Sequence, residues 1–326
     1  VLITGATGFI GGWLAQRLAQ ERGVHVRGLA RTPAKGDWLA SQGVVIVQGD
    51  VTDSASVVAA MEGCSVVYHA AAWVDESGSS QEVQAVNVEG ARHVVEAAVR
   101  AGVRRLVHIS SVSVYGSRQQ FNIDESTPVR KTGNVYGDSK VDAEEIAFSG
   151  HGRGGLSVVA VRPSQVVGLN SPHFVLRPLR LIQQGKMTLI DGGKALCKPV
   201  YIDNLVDALL LCGEAENIAG EAINVSDGYT TPWRDYFGAL AEMAGVSHLR
   251  SVPYPVALGV AFLFELQGRL TGRKAMLTRR AVRSLRSFNS YSNAKAQRLL
   301  GWQPRVGFDE AMQRTEAWLR ANGLLA

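Results

Sequence analysis

Cysteine is scarce in this chain of 326 residues: Cys64, Cys197 and Cys212 stand far apart, and no CxxC pair occurs. Neither a disulfide framework nor a cysteine zinc site is expected, and a reducing cytoplasm is the expected location. The histidines show no ligand spacing, so no metal is expected. Long apolar runs are also missing. The longest runs from Pro255 to Leu266, short of the roughly 20 residues a membrane span needs. There is no strong excess of one charge: the formal net charge is +5 and the pI about 9.2, too modest to imply nucleic acid. Internal repeats and low-complexity tracts are absent. Val1 opens inside an apolar strand without methionine, which reads as a chain trimmed by a few residues and not as a signal peptide.

What is present is a rhythm. Short apolar runs VLIT (1–4), VHVRGLA (24–30), VVIVQG (44–49), SVVYHAA (65–71), RLVHIS (105–110) and LSVVAVR (156–162) alternate with amphipathic stretches. Ile10, Leu14 and Leu18 share a helical face, as do Val88, Val95 and Val99. Strand–helix–strand repetition predicts an α/β fold with a doubly wound parallel sheet. The length suits two domains or one large domain with an added lobe. After about Asn170 the rhythm changes. Residues 1–169 are expected to form a dinucleotide-binding domain to which 201–228 returns, with Val200–Leu211 as a helix entered through Asp203 and 221–225 as a strand. Residues 170–200 and 229–326 are expected to form a smaller, mostly helical substrate lobe.

At the first strand–helix junction lies Thr4-Gly5-Ala6-Thr7-Gly8-Phe9-Ile10-Gly11. Glycines at 5, 8 and 11 let the chain turn sharply and let a diphosphate approach the free N–H groups of a helix start. The spacing is GxxGxxG, not the commoner GxGxxG. After the second strand comes Gly28-Leu29-Ala30-Arg31, with no acid before Asp37. An acid there would hold a ribose hydroxyl and an arginine a 2′-phosphate, so Arg31 favours NADP over NAD. Asp50 and Val51, after the third strand, are candidates to border the adenine; Asp50 reads equally well as the start of a helix.

Tyr136 and Lys140 lie four residues apart and share a face on a helix. A free tyrosine is a poor base at neutral pH, and bringing its pKa near 7 takes roughly 4 kcal/mol. One ammonium about 4 Å away, at an effective dielectric of about 20, supplies about 4 kcal/mol. Lys140 is therefore expected to lower the Tyr136 pKa. Upstream, the run Arg105–Ile109 ends in Ser110-Ser111 at the sheet edge where ligands bind, which places Ser111 beside a substrate oxygen. The same YxxxK spacing recurs at Tyr291 and Lys295 without such a strand, and reads as chance.

Jointly these segments resemble the extended short-chain dehydrogenase/reductase superfamily, also called the NAD-dependent epimerase/dehydratase superfamily. The likeness runs nearly end to end through TGATGFIG (4–11), HAAA (69–72), NVEGARHVVEAA (87–98), ISSVSVYG (109–116), VYGDSK (135–140), VRPSQVVG (161–168), VYIDNLVDA (200–208) and LGWQPRVGFDEAMQRTEAWL (300–319). The chain looks closest to the 3β-hydroxysteroid dehydrogenase and dihydroflavonol reductase branch. The resemblance implies a Rossmann-type fold, with Ser111, Tyr136 and Lys140 as catalytic residues and Asn87 holding the active-site water and helix. It further implies a cofactor held by Gly5, Thr7, Gly8, Phe9, Ile10, Gly11, Arg31, Asp50, Val51, Ala70, Ala71, Ala72, Pro163, Ser164 and Val166, together with Tyr136 and Lys140. Trp73, Val74, Ser113 and His173 become candidate substrate contacts. A homodimer through the helices of 87–101 and 136–150, near Val94 and Ile146, is a further implication.

The expected function is hydride transfer between nicotinamide and a carbonyl or alcohol of a hydrophobic substrate: sterol-like, flavonoid-like or a β-keto acyl compound. The alternatives are a nucleotide-sugar epimerase or dehydratase that retains its cofactor, and a cofactor-sensing protein without catalysis. Pro255–Leu266 reads first as a core helix followed by a solvated basic face, since 268–286 carries seven Lys/Arg and no acid. A sharper reading makes 255–286 a peripheral membrane or acyl-carrier contact. His69 and His108 read as buried structural residues, and Cys197 as packing.

Overall fold

The computed structural model describes all residues except 22–23, 75–78, 117–118, 272–274, 276 and 326. Seven parallel strands form the central sheet: β1 (Leu2–Thr4), β2 (Arg27–Ala30), β3 (Val45–Gln48), β4 (Val66–His69), β5 (Arg105–Ile109), β6 (Ser157–Pro163) and the strand Ala222–Val225. Their order is β3, β2, β1, β4, β5, β6, then Ala222–Val225. The direction of winding reverses between β1 and β4, which opens a crevice at the carboxyl ends of those two strands.

Side-chain alternation divides the strands between two cores. Leu2, Val67, Leu106 and Val158 point to one face, where Val57 and Met61 of the helix Ser54–Met61, Val94 and Ala98 of Gly90–Arg100, and Ala147 of Val135–Ser149 cover them. Their neighbours Ile3, Tyr68, Val107 and Val159 point to the other, covered by Leu14 and Leu18 of α1 (Phe9–Glu21) and by Leu205 and Leu209 of the helix Ile202–Glu214. Both faces of β4, β5 and β6 are buried, which is why these runs are continuously apolar. Edge strand β3 is the exception: Val45 at its start is exposed.

The second core continues without a break into Trp233, Leu240, Trp302 and Leu319, so the C-terminal part shares its interior with one sheet face. That part is mostly helical: Trp233–Met243, Tyr254–Thr271, Arg279–Ser284, Ala294–Leu300 and Phe308–Ala321. Two short ladders join it to the main body, Thr188–Ile190 with Arg250–Val252 and Leu196–Cys197 with Thr231–Pro232.

Three expectations are corrected. Val200 is not helical: it pairs with Val166 in a parallel ladder of Pro199–Tyr201 on Gln165–Val167, and the helix begins at Ile202. The Tyr201 N–H donates to Asp227 at 2.8 Å, which ends the strand before the helix starts. Val94 is fully buried in its own chain, so it is not a surface contact, whereas Ile146 is only partly buried beside the same core. The helix Tyr254–Thr271 is not a core helix; most of its large apolar side chains are exposed. Within its inner side only Ala257 and Ala261 are buried, packed on Val282. No described helix is long and apolar enough to cross a membrane.

Candidate active site

The glycine turn follows directly from β1. Gly5 has φ +69°, and a Cβ there would lie 2.7 Å from the Ala71 nitrogen and 2.8 Å from its Cα. A side chain at Gly11 would collide with the Gly5 backbone. Only glycine therefore lets the turn, the helix start and the loop after β4 come together. Gly8 N–H donates to Gly5 O at 2.9 Å, and α1 begins at Phe9. The N–H groups of Phe9, Ile10 and Gly11 are the first-turn donors that have no intrahelical acceptor. Ala70 and Ala71 line the other wall, held by hydrogen bonds from their N–H groups to Thr4 O (3.2 Å) and Thr4 Oγ1 (3.3 Å). The cradle suits a diphosphate against a helix start.

Arg31 stands at the end of β2 with its side chain 68% exposed, 3.9 Å from Asp50. The Asp50 carboxylate accepts the Thr52 N–H at 2.9 Å, and the helix is capped by Asp53 instead. Val51 is a core residue under Gly90, so only its backbone can border a ligand.

The helix Val135–Ser149 carries Tyr136 and Lys140. Asn134 caps it by accepting the Gly137 N–H at 2.6 Å. The Asp138 carboxylate holds Thr132 and Gly133 N–H at 2.8 and 2.9 Å, fixing the approach of the chain. Tyr136 then falls in the first turn, with its phenol beside the Ser111 side chain, which opposes the rise of its pKa. The Ser111 hydroxyl also accepts the Ser113 N–H at 3.1 Å. Lys140, one turn on, is buried and donates to the Ile109 carbonyl at 2.7 Å. Residues 111, 136 and 140 thus meet at the carboxyl end of β5.

The electrostatics differ from the sequence expectation. Burial pushes the Tyr136 phenol up to about 12, opposed only by the Ser111 hydrogen bond. The Lys140 ammonium is turned onto the Ile109 carbonyl. Burial lowers Lys140 itself to about 8, with Glu144 opposing. Two buried histidines lie beneath. Thr4 Oγ1 and His69 Nδ1 are 2.7 Å apart, and the His69 and His108 rings are 5.4 Å apart. Burial, then Lys140, lowers His69 to about 3. His108 is lowered too, and neither of its ring nitrogens has a hydrogen-bond partner among the described residues.

Asn87 sits in a π-helical segment, Gln84–Glu89, a local widening frequent at functional sites. Its side chain is fully engaged. Oδ1 accepts the Trp73 N–H at 2.6 Å, and Nδ2 donates to Trp73 O at 3.2 Å and to Ser139 Oγ at 2.9 Å. Ser139 in turn donates to Tyr136 O at 2.7 Å. One asparagine therefore joins the loop beside the glycine turn to the turn of helix that carries the tyrosine.

Sequence reading missed the network behind this site. Glu144 lies one turn beyond Lys140, and its carboxylate accepts from Ser110 Oγ at 2.5 Å and from Arg162 Nε at 3.0 Å. Arg162 Nη1 donates to Tyr115 Oη at 2.8 Å, and Tyr115 donates to Asn224 Oδ1 at 2.7 Å. Glu144 and Arg162 are an almost wholly buried ion pair. Two signals were available: the helical spacing 136, 140, 144, and an arginine inside a buried strand, which demands a partner.

Among the remaining candidates, Ser113 Oγ, Ser164 Oγ and Trp73 Nε1 are buried without hydrogen-bond partners among the described residues. Buried polar atoms without a protein partner are the kind that a ligand or ordered water satisfies. Pro163 closes β6, and Val166 lies in the ladder to Val200. Val74 and His173 are exposed. Cys197 is fully buried and its thiol is pushed up by burial. The second YxxxK is structural. The Tyr291 hydroxyl accepts from Asn289 at 2.8 Å, its ring stacks on Tyr115 at 6.1 Å, and Lys295 pairs with Glu221.

Residues 1–226 match the family described as the NAD dependent epimerase/dehydratase family. The chain belongs to that family. Among its relatives is the 2-alkyl-3-oxoalkanoate reductase of Shewanella oneidensis (strain ATCC 700550 / JCM 31522 / CIP 106686 / LMG 19005 / NCIMB 14063 / MR-1), 30% identical over 97% of this chain and 85% of the other. Another is the 3-beta-hydroxysteroid dehydrogenase of Mycolicibacterium neoaurum, 28% identical over 96% and 89%. Of solved structures, MoeE5 in complex with UDP-glucose and NAD is 25% identical, covers 98% of each chain and superposes with a TM-score of 0.78. Family membership fits the glycine cradle and the unpartnered Ser164 hydroxyl, both of which suit a nicotinamide dinucleotide. Names of relatives as dehydrogenases and reductases support an enzyme of the oxidoreductase class.

Proposed function

We propose that this family member is a nicotinamide-dependent reductase or dehydrogenase of a hydrophobic carbonyl or alcohol, with Tyr136 as its general acid and base. The carrying observation is that the Tyr136 phenol lies beside Ser111 at the carboxyl end of β5, one helical turn from Lys140. Asn87 ties that helix turn to the loop that abuts the glycine cradle. When bound, the cofactor gives or takes the hydride. Ser111 holds the substrate oxygen, and Tyr136 delivers the proton to it in reduction or removes it in oxidation. Burial holds the phenol up at about 12, so it carries its proton at neutral pH. Lys140, which donates to Ile109 O, lies one turn away and holds the cofactor ribose. Gly5, Thr7, Gly8, Phe9, Ile10 and Gly11 cradle the diphosphate, and Asp50, Val51 and Ala70–Ala72 flank the adenosine side. Pro163, Ser164 and Val166 border the nicotinamide, with Ser164 Oγ the free polar contact.

Exposed Arg31 makes NADP the preferred cofactor. Trp73, Val74, Ser113 and His173 face the substrate. The named activities of the relatives on 2-alkyl-3-oxoalkanoates and 3β-hydroxysteroids support a greasy ketone or its alcohol. A second reading, sugar-nucleotide conversion with retained cofactor, draws on the likeness to MoeE5. A panel of sterol ketones, β-keto acids and nucleotide sugars, run with NADPH and with NADH, separates them. Net consumption of NADPH with a hydrophobic ketone is expected. Turnover of nucleotide sugars with no net cofactor change would replace this reading with the second.

A further inference from the structure

The helix Tyr254–Thr271 is turned inside out for a surface helix. Its 18 residues extend about 27 Å. Val256, Val260, Leu263, Leu266 and Leu270 recur at spacings of four and three, so they line one face. All five are exposed, as is Phe262 beside them; Leu263 is 61% and Leu270 79% exposed. Among the described side chains at the exposed positions of this helix, Gln267 and Thr271 are the polar ones. The inward side carries small Ala257 and Ala261, and Glu265, whose carboxylate accepts the Arg279 N–H and Nε at 2.8 Å each.

The rim of this apolar face is cationic. Arg279 lies over the Phe262 ring at 5.3 Å, and Arg286 over the Tyr254 ring at 4.3 Å, so one guanidinium sits by the apolar stripe and one at its start. Arg283 on the intervening helix Arg279–Ser284 is exposed. Between 255 and 286 the sequence holds one acid, Glu265, which is paired with Arg279, and Arg286 pairs with Asp191 of the main body at 3.3 Å. An apolar helical face with basic residues along its edge matches the boundary of an anionic bilayer, where side chains enter the acyl region and arginines meet lipid phosphates. A second copy of the chain fits less well, because a two-fold contact through this face would set like charges against one another.

We propose that the helix Tyr254–Thr271, with Arg279, Arg283 and Arg286, docks the enzyme peripherally on an anionic membrane surface. This inference is independent of the reaction proposed above. The full chain is sedimented with vesicles of phosphatidylcholine alone and of phosphatidylcholine mixed with phosphatidylglycerol. Binding to the mixed vesicles alone, weakened by added salt, is expected. The double variant Leu263→Asp/Leu266→Asp should lose binding, and Arg283→Ala should weaken it about fivefold. Thermal unfolding checks that the variants remain folded. The proposal is overturned if the wild type ignores anionic vesicles or if the double variant binds as well. It is equally overturned if sedimentation velocity finds a dimer that the double variant dissolves, since the face then belongs to a second copy.

Discussion

The carboxyl end of the sheet and the Tyr254–Thr271 helix treat polarity in opposite ways. At the sheet, two buried sets of polar groups are matched to one another: Ser110, Glu144, Arg162, Tyr115 and Asn224 in one, and Trp73 backbone, Asn87, Ser139 and Tyr136 backbone in the other. At the helix, apolar groups face outward and the carboxylate is turned in. Buried polar networks fix geometry, because any lost partner leaves a desolvated group. An exposed apolar face fixes nothing within the chain and is available to something outside it. On the readings proposed above, the first region positions a reaction and the second meets a surface.

The contrast can be broken at either end. The largest stability effect is expected from Glu144→Ala, which leaves Arg162 charged and buried; a loss of about 3–5 kcal/mol is typical of such a site, measurable by denaturant unfolding. Acidification should act next. His69 stays neutral when folded, its pKa lowered to about 3 against 6.5 for a free histidine. The unfolded chain takes up a proton below pH 6.5 and the folded chain does not, so stability is full above that pH and falls as pH drops toward about 3. Asp227, raised to about 6 by burial, opposes this at lower pH, because its protonation favours the folded chain. A His69→Asn variant should therefore show a shallower fall than the wild type, and an equal fall would remove His69 as the cause.

Milder effects should follow at the surface. Arg31→Ala should weaken NADPH binding roughly tenfold, as loss of a charged hydrogen bond to phosphate does, and leave NADH unchanged. Fluorescence titration of each cofactor decides it, and equal losses would end the case for NADP. Smallest of all, Leu263→Asp should shift stability by no more than about 0.5 kcal/mol. A larger loss in a thermal melt would mean that the apolar face is packed and not free.

Local physics was legible in the sequence. The glycine turn shows because a positive φ and a close approach admit no other residue. The seven strands show because a sheet covered on both faces demands apolar runs. The helical spacing of Tyr136 and Lys140 carries the site, and its proximity to Ser111 follows from where β5 ends. Relations across the fold were not legible. The sequence calculation put the Lys140 charge on the Tyr136 phenol, whereas the Ile109 carbonyl holds that ammonium. Glu144 and Arg162 are separated by a helix end and most of a strand, so only folding brings them together. The side of the helix Tyr254–Thr271 that faces solvent is likewise set by Val282 and Glu265, since apolar composition does not state a direction. Val94 looked like a contact surface for the same reason.

The central claim rests on a single phenolic oxygen. Tyr136→Phe keeps the ring and its packing and removes only the group that carries the proton. Cofactor affinity by nicotinamide fluorescence, measured beside single-turnover hydride transfer, is the direct test. NADPH binding should be unchanged while the transfer rate falls by about 10²–10⁴. An unchanged transfer rate would contradict the assignment of Tyr136 as the proton donor.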